Sequence, residues 1–336
     1  MSNRGPAFIP VLLLLLLAAC GGGGDDGGGE PPPPAGSVAV TGIVSFQRVP
    51  FRAAPALGLD YANPVARPAR GVTVRALRAN TQTVLDTGTT SASGAFTLQV
   101  PGNTDIVIQV LARMQNGSAQ SLPQWDVRVQ NGRGGSTPYS HTGAPFSSAA
   151  GASVELLVPT GIAADGTATG VRASGPFAIL DTLYTAIQAA LTVEPQASLP
   201  TLFVDWGSHA DGTFFGVQGN SQFIALNWNL QEDTEEFDEH VIAHEFGHYL
   251  EHNFSRSDSD GGEHALGQRL DPRLAFSEGF GYAFAAFALD DPVLRDSFVD
   301  GGESVHASTS VEANPAGNAL VGGCWCSEST VWSLLW

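Results

Sequence analysis

The chain changes hydrophobic rhythm partway along its length. In Val38 to Phe46, Gly71 to Leu77, Thr83 to Leu85, Ala95 to Val100 and Asp105 to Ala112, apolar and polar residues alternate in short runs broken by Gly, Pro, Asn and Ser. That alternation predicts strands with one buried face. Trp125 to Val129 and Ser153 to Val158 extend the pattern past a glycine- and serine-rich interval, Asn131 to Gly151, read as loops with an irregular strand. From about Gly170 the spacing becomes helical. Ile179, Leu180, Leu183, Ile187 and Leu191 fall on one helix face, and strands follow at Leu202 to Trp206 and Phe223 to Trp228. The acids of Asp233-Thr234-Glu235-Glu236 suit a helix start, and Phe237, Val241, Ile242, Phe246, Tyr249 and Leu250 carry that helix to about Phe254. Leu274 to Phe284 predicts a second, largely apolar helix. The chain closes on Val331-Trp332-Ser333-Leu334-Leu335-Trp336, a helical pattern with no stop signal. Either that tail packs as it stands or the chain is a fragment. The expected architecture is multidomain, with an all-β sandwich over residues 38–160 and an α+β domain over 170–336.

Composition sharpens this division. The 336 residues, 43% apolar, exceed what one core usually serves. All 15 basic residues are arginine, and the formal charge is −18. Residues 1 to 200 hold 11 acids against 11 arginines, whereas 201 to 336 hold 22 against 4. Seven of the eight histidines also lie beyond residue 200. Nucleic acid is therefore not an expected partner, and the chemistry belongs to the second half. Its acidity favours basic or neutral substrates and serves solubility equally well.

The N-terminus reads as an address and a tether. Arg4 precedes an apolar run from Ala7 to Ala19. At about 13 residues it is shorter than the ~20 of a membrane-spanning helix, as in a secretion signal. Leu17-Ala18-Ala19-Cys20 resembles the lipobox of bacterial lipoproteins. That resemblance implies a signal peptide over residues 1–19, cleavage before Cys20 and lipidation of its thiol. Gly21, rather than Asp, after the cysteine implies the outer membrane. Gly21 to Gly29 and Pro31 to Pro34 make residues 20–37 a flexible, then stiff, spacer. Cys324 and Cys326 remain, and in an oxidising compartment they pair, stay as free thiols or form a Cys-x-Cys zinc pair.

Within the β region, Thr41-Gly42-Ile43-Val44, Gly71-Val72-Thr73-Val74 and the phrase carried by Thr90, Gly94, Phe96 and Leu98 resemble carboxypeptidase regulatory-like domains, over about 75 residues. The resemblance implies spacing, stability or adhesion. No His or Cys lies between Val38 and Met114, so catalysis is not expected there.

The helix ending near Phe254 carries His244-Glu245-Phe246-Gly247-His248. Four residues advance a helix slightly more than one turn, so both imidazoles leave the same face and can share a metal. Glu245 is placed to take a proton from water while the metal lowers that water's pKa and polarises a scissile carbonyl. His240 and His252 continue the four-residue spacing and could make the whole set a solvated stripe. Glu251 and His252 lie too far along the helix, about 10 Å for seven residues, to share an ion with His244. The third ligand must come from elsewhere. Glu278, the lone carboxylate of the second helix, leads, with Glu263 and His264 as the alternatives.

Together with Ser277-Glu278-Gly279-Phe280, the motif resembles the gluzincins, the zinc metallopeptidases that include thermolysin and alanyl-type aminopeptidases. The resemblance spans about Asn227 to Ala288. It implies a zincin-like fold, Zn2+ held by His244, His248 and Glu278, Glu245 as general base, and a peptide or protein substrate. Tyr282, His264 and His306 are available to stabilise the oxyanion. Tyr282 stands where thermolysin-like enzymes carry an Asp that holds a histidine, and the 30 residues from His248 to Glu278 exceed the group's usual interval. The insert, Ser255 to Arg273, brings Asp258, Asp260, Glu263 and His264 among glycines and suggests Ca2+, a substrate-facing loop or a solvated polar loop. Phe223 to Trp228 suggests either the edge strand that aligns a peptide or an ordinary buried strand. The expected function is an exported, lipid-anchored zinc metallopeptidase; the alternative is a non-cleaving binding or adhesion lipoprotein of the same fold.

Overall fold

The computed structural model describes residues 36–53, 57–118, 120–133, 137–149, 151–208, 210, 212–312 and 326–336. The expected signal peptide, Cys20, the expected spacer up to residue 35, and Cys324 lie outside the described residues. Ten strands come first: β1 Ser37–Arg48, β2 Val65–Pro68, β3 Val72–Arg78, β4 Val84–Thr89, β5 Ala95–Pro101, β6 Asp105–Ser118, β7 Ser121–Gln130, β8 Ser140–Thr142, β9 Phe146–Ser147 and β10 Ser153–Val158. Then come α1 Gly175–Val193, β11 Leu202–Trp206, β12 Phe214–Gln218, β13 Ser221–Leu226, β14 Trp228–Asn229 and β15 Asp233–Thr234. A 3-10 turn, Glu235–Phe237, leads into α2 Glu239–Phe254, followed by α3 Pro272–Leu289, β16 Val293–Asp300, β17 Glu303–Ser310 and α4 Glu328–Leu335. The protein is β-rich, with several sheets and four α-helices among the described residues.

Alternation does the local work. In β1, Val40, Val44 and Phe46 are fully buried while Ala39, Thr41 and Ile43 face out, and β5 repeats this with Phe96, Leu98 and Val100. β1 lies between parallel β10 and antiparallel β2 and also pairs with β5. The second sheet runs β12-β13-β11-β7-β6-β3-β4, with β8 and β9 on β6.

That second sheet crosses the boundary expected between residues 160 and 170. β11 pairs in parallel with β7 on one side and with β13 on the other, so strands from both halves form one sheet. One core also runs from Val40 through Leu183 and Leu202 to Phe246. Polar ties reinforce the junction. Buried Arg48, at the end of β1, donates to the carbonyls of Ala178 and Phe237 and pairs with Glu239 at 3.1 Å. Arg70 pairs with Asp181, donates to Thr185 and lies over the Tyr184 ring. The β region is thus built into the same body as the helices rather than set apart as a separate sandwich.

The expected helices form where the periodicity placed them. α3 begins with Pro272 behind Asp271, whose carboxylate caps the Arg273 amide at 2.9 Å, and ends at Asp290 in the left-handed region. α2 and α3 cross closely at glycines, and a smaller core of Ala283, Ala286, Leu294, Val311 and Trp332 joins α3, β16 and α4.

Candidate metal centre

His244 and His248 leave the same face of α2, their rings edge to face at 87° with centroids 4.6 Å apart. Their Nε2 atoms are 3.0 Å apart. α3 brings Glu278 to the same point, with Oε2 3.1 Å from His244 Nε2 and 3.3 Å from His248 Nε2. All three residues are buried or nearly so. Burial opposes ionisation of Glu278, but hydrogen bonds from both histidines hold its carboxyl well below the usual range. Burial lowers His248, yet Glu251, Glu278 and the charge of Glu245 push it up to about 10.

A ring of partners orients these groups. Ser277 donates to Glu251 at 2.6 Å, and its hydroxyl lies 3.3 Å from His248 Nδ1, which is 3.8 Å from Glu251. Glu251 thus lies behind His248, on its Nδ1 side, and outside the metal-suited groups among the described residues. The Tyr282 ring lies 4.3 Å from that of His244, wedged by Trp332 at 5.3 Å. An aromatic face thus stands where an aspartate was looked for. His264 reaches Glu278 through Nε2 at 3.2 Å and buried Glu328 through Nδ1 at 3.3 Å. The bond to Glu328 raises the His264 pKa against the effect of burial.

Glu245 points to the strand side. Its Oε2 accepts the Phe215 amide at 2.7 Å. β12 pairs only with β13 among the described residues, so β12 is the sheet edge. Of the two readings of Phe223 to Trp228, the buried strand holds: β13 is flanked by β11 and β12, which is why Phe223 to Leu226 are buried. A cleft of about 840 Å³ runs between β12 and the Gly261–His264 loop, reaching Glu245, His248, Glu251 and Glu278. A second cavity of about 430 Å³ opens onto the other side of His244 and Glu245, bounded by Tyr282 and His264.

The remaining candidates separate. Tyr282 and His264 border the site, whereas His306 does not: its Nδ1 lies 2.7 Å from the Leu57 carbonyl and its ring packs on Phe51. His240 reaches the Asp291 carbonyl, and His252 packs on Phe215, so the histidine stripe divides. Glu263 lines the larger cleft but joins none of the metal-suited groups among the described residues. Asp260 pairs with Arg273, and Asp258 lends only its carbonyl to it; of the 255–273 insert only His264 joins a metal-suited group among the described residues, with Glu278 and Glu328. Cys326 is disulfide-bonded. Sequence reasoning missed Glu328, Ser277 as a support and Phe215. Only the lone buried acid of α4 carried a signal.

The donors fit a metal ion. Tetrahedral zinc bonds of about 2.0–2.1 Å put ligand atoms about 3.3 Å apart, and the observed edges are 3.0, 3.1 and 3.3 Å. Buried His244 Nδ1 has no hydrogen-bond partner. A proton kept there frees Nε2 as a lone-pair donor.

No family model and no curated protein matches the chain. Among solved structures the chain is similar to a 9R-lipoxygenase from Cyanothece PCC8801, with TM-score 0.21 and 10% identity, over 49% of this chain and 26% of that one. A likeness so slight carries no argument.

Proposed function

We propose that the protein is an exported, lipid-anchored zinc metallopeptidase of zincin-like fold. The observation that carries this reading is the convergence of His244, His248 and Glu278 within 3.3 Å of one another, with Glu245 beside them in a cleft edged by β12. His244, His248 and Glu278 would hold the ion, and a zinc there supplies Lewis acidity toward a carbonyl and lowers the pKa of water.

The rest belongs to the chain. The Phe215 amide fixes the Glu245 carboxylate from the strand side, so that Glu245 accepts the proton of the attacking water and returns it to the leaving amine. The free side of β12 offers main-chain hydrogen bonds to an extended peptide. His264, biased toward its cationic form by Glu328, and Tyr282 flank the place where negative charge develops on the carbonyl oxygen. Glu251 and Ser277 keep His248 in register.

The test is cleavage of a peptide library by the purified chain. Activity lost to a chelator and restored by zinc supports the reading; zinc binding without cleavage would mark a binding protein instead. For the anchor, Cys20→Ser is expected to release the protein from the membrane fraction. Unchanged fractionation would contradict lipid attachment.

A further inference from the structure

A second group of acids stands apart from the histidines. Asp233, Glu235, Asp238 and Asp296 each offer one carboxylate oxygen within 4.8 Å of the others. They come from β15, the 3-10 turn, the residue before α2, and β16. Their hydrogen bonds follow one pattern. Asp233 Oδ2 accepts from Asn227, Glu235 Oε1 from the Thr213 hydroxyl, and Asp238 Oδ2 from the amide and hydroxyl of Ser297. In each case the other oxygen, Asp233 Oδ1, Glu235 Oε2 or Asp238 Oδ1, is buried and without a partner. Glu235 is 3% and Asp238 0% exposed, so both carboxyl groups are shut off from bulk solvent.

The charges along the segment are sorted. Glu236 pairs with Arg172 and Glu239 with Arg48, while Arg295 is taken by Asp291. Four carboxylates, two of them buried, then face one another with no arginine paired to any of them among the described residues. Burial first, and mutual repulsion second, push Glu235 and Asp238 well above the carboxylate range and Asp296 up to about 6.

We infer that Asp233, Glu235, Asp238 and Asp296 form a calcium site, distinct from the His244–His248–Glu278 group. Only oxygen is offered, which suits a hard cation and not zinc. Four carboxylates converging on one place suit calcium, which takes about six to eight oxygens in flexible geometry, rather than magnesium, which keeps several waters and takes one or two carboxylates. The smaller cavity, lined by Asp233, Glu235 and Asp296, gives a route in. Through Thr213, Asp238 and Ser297 the ion would tie the approach to β12 and the start of α2 to β16. That clamps the β12 side of the cleft to α2 and β16 independently of whether the histidine group binds zinc.

The test is calcium binding to the purified full-length chain, kept zinc-saturated, by calorimetry and thermal melting. About one Ca2+ per chain is expected, with Tm rising about 4 °C at a hundredfold excess over Kd. Glu235→Gln and Asp238→Asn should each weaken calcium binding roughly 100-fold. In calcium-free buffer their Tm should equal or exceed that of the wild type, because the cost of burying these carboxyl groups against one another is removed. Asp296→Asn, at the open side, carries the same test if a buried variant fails to fold. An unchanged calcium response in the variants, or no response in the wild type, would overturn the inference. An equal response to Mg2+ would overturn the choice of calcium. A lost preference for basic peptides in Asp296→Asn, without any calcium response, would assign the cluster to substrate instead.

Discussion

Gly247 and Gly281 meet where α2 crosses α3: a methyl group on Gly247 would lie 3.0 Å from the Gly281 Cα, and one on Gly281 would lie 2.8 Å from His244 Nδ1. The two glycines let the helix bearing the histidines approach the helix bearing Glu278 closely enough for a shared ion. Gly281→Ala is therefore expected to lower zinc affinity about 10- to 100-fold by displacing the His244 ring. The same change favours the helix itself by up to about 1 kcal/mol, so weaker binding would not reflect a melted helix. Competition against a chromophoric chelator reads the effect, and unchanged affinity would contradict the packing argument.

Glu251 offers a second check, because it touches His248 and Ser277 but not the ion's position. Glu251→Gln is expected to reduce zinc affinity about 10- to 100-fold while leaving one ion per chain at saturation. Full loss of the ion at saturating zinc would make Glu251 a ligand, against the helix geometry.

Much of this was legible in the sequence, for physical reasons. Periodicity marked α1, α2 and α3 because each buries one apolar face, and the i, i+4 spacing of His244 and His248 survives any packing of α2. Glu278 was legible as a lone carboxylate in an apolar helix. Other features were not. Phe214-Phe215-Gly216-Val217-Gln218 has no clean alternation, since an edge strand over a cleft buries neither face fully, and β13 took its place in the reading. Asp300-Gly301-Gly302-Glu303 is a two-residue hairpin turn, with both glycines at positive φ, and could have announced β16 and β17. The carboxylate cluster was hidden by distance: Asp233, Glu235 and Asp238 look like helix-start acids until β16 brings Asp296 to them. The shared sheet was hidden likewise, because β7 and β11 are separated by some seventy residues and only their pairing shows that the two halves form one body.

Stability should also depend on pH through the β6–β7 pair. Asp126 accepts two bonds from Arg113, both 2.9 Å, and others from Arg128. Burial raises its pKa, but these bonds outweigh it and leave the carboxyl below its usual value. A depressed carboxylate contributes stability above the unfolded value of about 3.9, and that contribution is lost as pH falls through the folded value. Asp126→Asn should therefore cost about 1 kcal/mol at pH 7, a modest figure because the pair is partly solvated. The deficit should close as pH falls below 3.9. Melting curves of both proteins across that range check it, and a deficit independent of pH would contradict it.

The central claim is that His244, His248 and Glu278 hold zinc while Glu245 moves the proton. The most direct measurement is zinc content and peptide hydrolysis on the same preparations of wild type, Glu245→Gln and Glu278→Ala. The account predicts about one zinc per chain in the wild type and in Glu245→Gln, with hydrolysis by Glu245→Gln lower by at least about 100-fold. It predicts severely weakened zinc binding in Glu278→Ala. Hydrolysis at the wild-type rate by Glu245→Gln, or normal zinc binding and cleavage by Glu278→Ala, would contradict it.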